Sequence, residues 1–281
     1  MAGTLYLCAT PIGNLDDITF RVLETLRNVD VIAAEDTRNS IKLLNRFEIK
    51  TPMTSYHEFN KYDKGRQLIE QLLEGKNVAV ITDAGMPGIS DPGEELVKMA
   101  HEAGVPVTVL PGACACVTAL TLSGLPTRRF CFEAFLPSAK KERMEVLEEL
   151  KNESRTIVLY EAPHRLAKTL AELFETLGER RVTVCRELTK KHENVFLTTL
   201  SAAAAYYEEN EAKGECVLVV EGADKKELLR AEQEACAKLD LEEHMQRYLS
   251  EGMSKKEAMK AVAADRGLSK REIYAMLLER E

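Results

Sequence analysis

No apolar run in the 281-residue chain approaches the ~18 residues that cross a bilayer, so no membrane-spanning helix is expected. The N-terminus has no basic stretch followed by an apolar segment, which argues against a secretory leader. Cysteines number seven, an odd count, and none forms a C-x-x-C pair; Cys114-Ala115-Cys116 is too close for a redox or zinc motif. Cys8, Cys131, Cys185 and Cys216 lie inside apolar patterns. Reduced, buried thiols, a cytoplasmic location and no metal site follow as expectations. Neither a G-x-G-x-x-G fingerprint nor a G-x-x-x-x-G-K-[ST] loop is present, which disfavours a nicotinamide dinucleotide or a nucleoside triphosphate. A basic excess is missing too, since the net charge is −8. That alone argues against nucleic acid, yet residues 128–195 carry 14 basic and 12 acidic side chains, and 252–280 carry seven and four.

What the chain does have is a set of rigid loops behind apolar strands. Val78-Ala79-Val80-Ile81 reads as a strand buried on both faces of a parallel sheet. It runs into Thr82–Gly93, where three glycines and two prolines in twelve positions forbid helix and strand. Loops at the carboxyl ends of such strands are where α/β sheets bind ligands. Asp83 and Asp91 can accept hydrogen bonds there. Two similar loops follow the strands 5–9 and 106–110: Thr10-Pro11-Ile12-Gly13-Asn14-Leu15 and Pro111-Gly112-Ala113-Cys114-Ala115. Each opens a helix, one with Ile18, Val22, Leu26 and Val29 on a face, the other with Cys114, Thr118 and Leu122.

A length of 281 residues suits two to three domains, and 45% hydrophobic residues fill an ordinary core. The expected fold class is α/β, with two sheets and a helical tail. Residues 1–123 alternate strands (5–9, 31–35, 78–82, 106–110 and a weaker one at Met53–Tyr56) with amphipathic stretches, the rhythm of a parallel sheet. Gly124–Thr127 breaks the pattern. Residues 128–223 resume it with strands near 130–134, 156–160, 181–185, 194–199 and 216–220. The pair 181–185 and 194–199 has no helix between, so this second sheet is expected to be mixed. Residues 225–281 read as helical throughout. Ser254-Lys255-Lys256-Glu257 and Ser269-Lys270-Arg271-Glu272 are S-x-x-E capping boxes, and Gly267 suits a helix stop between them. The outline is helix-turn-helix-like, serving either RNA contact or a structural cap.

Pro11–Thr19 (PIGNLDDIT), Glu35-Asp36-Thr37-Arg38, Asp83–Gly93 (DAGMPGISDPG), Pro111–Ala115 (PGACA), Tyr160–Arg165 (YEAPHR) and Arg186–Lys190 (RELTK) resemble one family in order and spacing. It is the ribosomal RNA small-subunit methyltransferase I branch of the tetrapyrrole-methylase superfamily, and the resemblance spans about residues 4 to 222. It implies an S-adenosylmethionine-dependent enzyme that methylates the ribose 2′-oxygen of a cytidine in the decoding region of 16S rRNA, in the small ribosomal subunit. It also implies a homodimer, with the donor held between two α/β domains. By the same resemblance Asp83, Ala84, Gly85, Met86, Ile89, Ser90, Asp91, Cys114 and Ala115 line the donor from the first domain, with Pro11 in the first loop. Tyr160, Glu161, Ala162, Glu187, Leu188, Gly214 and Glu215 close over it from the second. One departure stands out: the superfamily loop usually reads Gly-Asp-Pro, and here Met86 replaces the aspartate. A carboxylate must then come from Asp83 or Asp91, or backbone must serve.

A ribose hydroxyl is a poor nucleophile, so a group must take its proton. Asp36, Glu161 and Glu187 are the expected candidates, with His57 and His164 behind them. Glu161 and Glu187 follow buried strands, where an unpaired carboxylate is costly, so pairing with Arg165, Arg186 or Lys190 is the competing role. Arg38, Lys42, His57, Arg128, Arg129, Arg165, Arg186, Lys190, Lys270 and Arg271 are the expected RNA contacts. Lys140 and Lys141 read as plain surface charge. Two other functions compete: a corrin or porphyrin precursor methylase of the same fold, and a non-catalytic nucleic-acid-binding protein. The intact glycine and proline loops count against the latter.

Overall fold

In the computed structural model, residues 1–278 are described; the last three positions of the segment expected at 225–281 lie outside the described residues. The first sheet contains β1 (Leu5–Cys8), β2 (Val31–Ala34), β3 (Met53–Ser55), β4 (Val78–Ile81) and β5 (Val107–Leu110). All pairings are parallel and the order is β3-β2-β4-β1-β5. The central β4 is buried at all four positions, which is why its sequence is apolar without alternation.

Helices cover both faces. α1 (Phe20–Asn28) and α2 (Thr37–Arg46) bring Val22, Leu26 and Leu44 against Cys8, Ile32, Ala79 and Ile81. On the other face α3 (Lys61–Leu73) and α4 (Gly93–Glu102) bring Leu68, Leu72, Leu96 and Ala100 against Leu5, Leu7, Val78 and Val80. The period of two along β1 and β4 divides the two clusters. Because the strands are parallel, all five carboxyl ends open on one side.

α5 (Ala115–Leu122) leaves the first sheet and packs on the second. Its buried stripe is Cys116, Ala119 and Leu120, against Val158, Cys185, Val217 and Val219. The expected face, Cys114, Thr118 and Leu122, is not that stripe, and Leu122 is exposed. The helix is apolar on most sides, so periodicity could not choose its inner face.

The second sheet contains β6 (Phe130–Phe135), β7 (Thr156–Glu161), β8 (Arg181–Arg186), β9 (Asn194–Thr199) and β10 (Cys216–Val220), in the order β6-β7-β10-β8-β9. β6 and β7 are parallel and the other neighbours antiparallel, so the sheet is mixed as expected. α6 (Lys140–Leu150), α7 (Leu166–Leu177) and α8 (Leu200–Glu209) cover the face away from α5. Leu147, Leu166, Leu170 and Leu173 meet Ile157, Leu159, Val184 and Leu218 there.

The tail is α9 (Lys225–Lys238), α10 (Leu241–Ser250), α11 (Lys255–Asp265) and α12 (Lys270–Leu278). Both capping boxes form: Ser254 and Glu257 bond reciprocally, as do Ser269 and Glu272. α10 to α12 enclose their own small core, with Leu241, Met245, Ala258, Val262 and Ile273 buried. Arg266 ties it to the end of α9, donating to the Leu239 carbonyl at 2.8 Å and to His244 Nδ1 at 3.3 Å. All seven cysteines are free. Among the described residues no helix is long and apolar enough to cross a membrane.

Candidate active site

The loops behind β1 and β4 are stapled together by a two-bond bridge. The Thr10 amide donates to the Gly85 carbonyl at 2.9 Å, and the Gly85 amide returns a bond to Thr10 at 3.1 Å. Gly85 needs its φ of +87°, and a Cβ there would meet Ile12 Cγ2 at 3.2 Å. The glycine therefore shapes the cavity wall through its backbone. Asp91 has a similar structural task. Its carboxylate accepts from the amides of Gly88 at 2.8 Å, Ile89 at 3.2 Å and Gly93 at 2.8 Å. Those bonds lock the turn, so Asp91 does not supply the carboxylate missing at Met86. Asp83 is different, being exposed and accepting from Asn39 Nδ2 at 3.1 Å.

The second sheet closes over these loops. The Cys116 amide at the start of α5 donates to the Tyr160 hydroxyl at 3.2 Å, and the Asn14 amide donates to Thr189 Oγ1 at 3.0 Å. At Gly13 a Cβ would lie 2.5 Å from Lys190 Cγ, so only glycine lets the first loop approach 188–190 this closely. Lys190 Nζ bridges Glu187 Oε1 at 2.9 Å and Glu215 Oε2 at 3.0 Å. The Lys190 hydrogen bond is the main reason the Glu187 carboxyl titrates below its ordinary range. The Lys190 ammonium is raised on balance: burial opposes the charge, and bonds to both carboxylates outweigh it. Burial pushes the Tyr160 phenol up.

Between the two walls lies a cavity of about 430 Å³, within the roughly 300–1,000 Å³ of small-molecule sites. Among the described residues five carboxylates line it, Glu35, Asp83, Asp91, Glu161 and Glu215, and no Lys, Arg or His does. Its apolar walls include Ile12, Met86, Ile89, Leu188 and Val217. A second cavity of about 320 Å³ opens beside it, sharing Ile12, Thr82, Asp83, Ala84 and Glu215, and adds two cations, Lys42 and Lys190.

Most residues expected at the donor site converge on the larger cavity: Asp83 to Met86, Ile89, Ser90, Asp91, Cys114, Ala115, Tyr160, Glu161, Ala162, Leu188 and Glu215. Pro11 lines the smaller one instead, while Glu187 and Gly214 line neither; Glu187 lies against Gly214 and accepts from the Glu215 amide. The candidate bases need correction. Glu161, 2% exposed, takes bonds from the Ala162 amide and the Thr169 hydroxyl and lies 3.4 Å from Arg165, so its oxygens are spent on the fold. Glu187 is held by Lys190 and the Glu215 amide. Asp36 caps α2 and grips the Arg38 guanidinium, whose bond holds its carboxyl at about 2, and it lines neither cavity. A carboxyl held that low is a weak base.

The expected RNA contacts scatter. Lys42 and Lys190 reach the smaller cavity. Arg165 donates to the Leu136 carbonyl, and Arg186 to that of Lys213 while lying over the Tyr207 ring. His57 Nδ1 is buried without a partner, outside both cavities. Arg128 and Arg129 lie at the other end of the second sheet, and Lys270 and Arg271 start α12. Residues not foreseen are Glu35, which receives bonds from Thr82 Oγ1 and the Asp83 amide, and Ile12, Thr82, Phe135, Pro163, Cys216 and Val217. Glu35 had a legible signal, since it ends the β2 run as Thr82 ends β4.

Residues 4–204 match the family model of the tetrapyrrole (corrin/porphyrin) methylases. The chain is 50% identical to the ribosomal RNA small subunit methyltransferase I of Halalkalibacterium halodurans over 97% of its length and 93% of that protein. It is 49% identical, with the same coverage, to the protein of that name from Bacillus subtilis. A solved uroporphyrin-III C-methyltransferase of Thermus thermophilus, complexed with S-adenyl homocysteine, superposes with a TM-score of 0.55 at 20% identity, covering 78% of this chain and 97% of that one. That last likeness is one of fold. The chain belongs to the tetrapyrrole methylase family and, within it, to the ribosomal RNA small subunit methyltransferase I enzymes.

Proposed function

We propose that this chain uses S-adenosylmethionine to methylate the ribose 2′-oxygen of a cytidine in the decoding region of 16S rRNA, acting on the small ribosomal subunit in the cytoplasm as a homodimer. Its working parts are residues 1–123 and 128–223, with 225–281 appended. The observation that carries the reading is the charge of the 430 Å³ cavity: five carboxylate residues line it, with Glu161 and Glu215 paired to Arg165 and Lys190 outside the lining, and no cation lines it among the described residues. Such a site suits a ligand bearing sulfonium and ammonium groups and repels phosphate. When bound, the donor supplies an electrophilic methyl group on a positively charged sulfur.

The chain's own residues do the rest. Glu35, Asp83 and Glu215 hold positive charge at the cavity edge, while Ile12, Met86, Leu188 and Val217 keep water out. Lys42 and Lys190 draw an acceptor phosphate into the neighbouring cavity. Asp83 lines both cavities, is exposed, and takes the ribose proton; this assignment replaces Asp36, Glu161 and Glu187. A macrocycle methylase is less well supported. The 50% relative covers the helical tail, whereas the uroporphyrin enzyme reaches 78% of the chain at 20% identity.

Tritiated donor offered with small subunits, naked 16S rRNA and a precorrin tests the reading. Label in the ribose of one cytidine is expected. Label in the precorrin, or in none of the three, would overturn it.

A further inference from the structure

We propose that the groove between the far end of the second sheet and α9 is a second RNA-contact site, gripping phosphodiester backbone away from the reacting ribose. This rests on the RNA substrate proposed above. The groove has a volume of about 790 Å³ and is walled by the 126–129 segment, residues 151–156, the end of α7 and the first turns of α9. β7 runs from the groove at Thr156 to the donor cavity at Glu161. At about 3.3 Å per residue the two lie about 17 Å apart, roughly five steps of a nucleic-acid helix.

Charge at the groove is unevenly committed. Arg180 at its floor is 8% exposed, and its guanidinium donates to two carbonyls, Lys151 at 2.6 Å and Glu221 at 3.4 Å; among the described residues it forms no salt bridge, while the Glu221 and Glu153 carboxylates attract it from farther off. Burial opposes this charge more than the distant carboxylates support it, which leaves room for a further anion. The acids nearby are engaged elsewhere. Glu221 pairs with Arg181, Asp224 caps α9, and Glu179 is held by the hydroxyls of Ser201 and Thr199. That leaves Glu227 facing Arg128, Arg129 and Lys225, three exposed cations without ion pairs among the described residues. Three uncommitted cations lining one groove fit a chain of phosphates better than one small ion.

The test uses Arg128→Gln/Arg129→Gln, with Lys140→Gln/Lys141→Gln on α6 as control, in the full-length protein. Affinity for small subunits and naked 16S rRNA is measured against salt, with donor affinity by calorimetry. The arginine pair is expected to lower RNA affinity about tenfold or more. It should flatten the log–log salt slope by about 1.4 to 1.8, two contacts at about 0.7–0.9 each. Donor affinity and the lysine control should match the parent. Parent-like RNA affinity and slope in the arginine variant would overturn the groove while leaving the methylation reading intact. Stabilisation by inorganic phosphate alone, with RNA binding unaffected, would mark a small-anion site and overturn it too. A parent protein that binds neither RNA overturns the function on which the groove depends.

Discussion

At one end of the second sheet, where Tyr160 and Cys216 meet the first loops, the cavity lining holds five carboxylates and no cation among the described residues. At the other end, where β7 begins and β10 leaves, the groove holds six cations, Arg128, Arg129, Lys151, Arg155, Arg180 and Lys225, against four acids, Glu179, Glu221, Asp224 and Glu227. The same strands run from one to the other. The two ends also solve burial differently. Glu161 at the acidic end is buried with an ion pair and two hydrogen bonds, while Arg180 at the basic end is buried with hydrogen bonds to carbonyls and only longer-range attraction from Glu221 and Glu153. A net charge of −8 therefore conceals a sorting of charge by position, which suits a protein that handles a cationic small molecule and an anionic polymer at separate places.

Reversing the sign at the acidic end should have the largest effect. Met86→Lys puts an ammonium into a cavity proposed to take a cation. At about 5 Å and an effective dielectric of about 20, like charges repel by about 3 kcal/mol, about a hundredfold in donor affinity. Met86→Leu keeps the wall apolar and should bind as the parent does. Calorimetry decides, and equal affinity in the lysine variant would remove charge from the account of donor choice.

Gly85→Val attacks the same end through the backbone. Valine at a φ of +87° costs about 1–3 kcal/mol, and its branch meets Ile12 across the Thr10 bridge. Both the melting temperature and donor affinity should fall, with Gly85→Ala intermediate. Loss of affinity with unchanged melting would show instead that valine simply fills ligand space.

At the basic end, Arg180→Leu leaves the Lys151 and Glu221 carbonyls without their donor, at about 1–3 kcal/mol. Thermal unfolding should shift by several degrees while donor affinity stays put, because the residue is a sheet's length from the cavity. A change in donor affinity would mean that the two ends are coupled.

The strands were legible because burial on both faces leaves an unbroken apolar run, as in Val78–Ile81, and the loops because glycine and proline admit few conformations. The capping boxes of the tail were legible for the same local reason. Which carboxylate faces the ligand was not. Asp91 and Glu161 stand in the right segments, yet their oxygens turn back to amides and hydroxyls of their own neighbourhood, a choice made by loop geometry. Glu35 and Asp36 are adjacent, but one ends in the cavity and the other in a cap on α2. Arg128 and Arg129 stand among the expected RNA contacts on charge alone. The groove that holds them is assembled from segments about a hundred residues apart, 126–129 and 221–231, which no local pattern joins.

The smallest effect belongs to Lys190, the cation that stands at the rim of the acidic end and bridges Glu187 to Glu215. Because Lys190 holds the Glu187 carboxyl below its unfolded value, that pair adds stability above the ordinary carboxylate range, and the contribution disappears as pH falls through the lowered folded value. Lys190→Met should return Glu187 to the ordinary range and remove this acid-side contribution. Both side chains are partly exposed, so the loss should stay below about 1 kcal/mol. Carboxyl titration by nuclear magnetic resonance, with unfolding followed between neutral and acid pH, gives the answer. Donor affinity should not fall, since removing a cation leaves the cavity edge more negative, whereas RNA affinity should weaken through the neighbouring cavity. If donor affinity falls as well, Lys190 holds the two walls together more than it tunes their charge, and the separation of the two ends by sign would lose its clearest boundary residue.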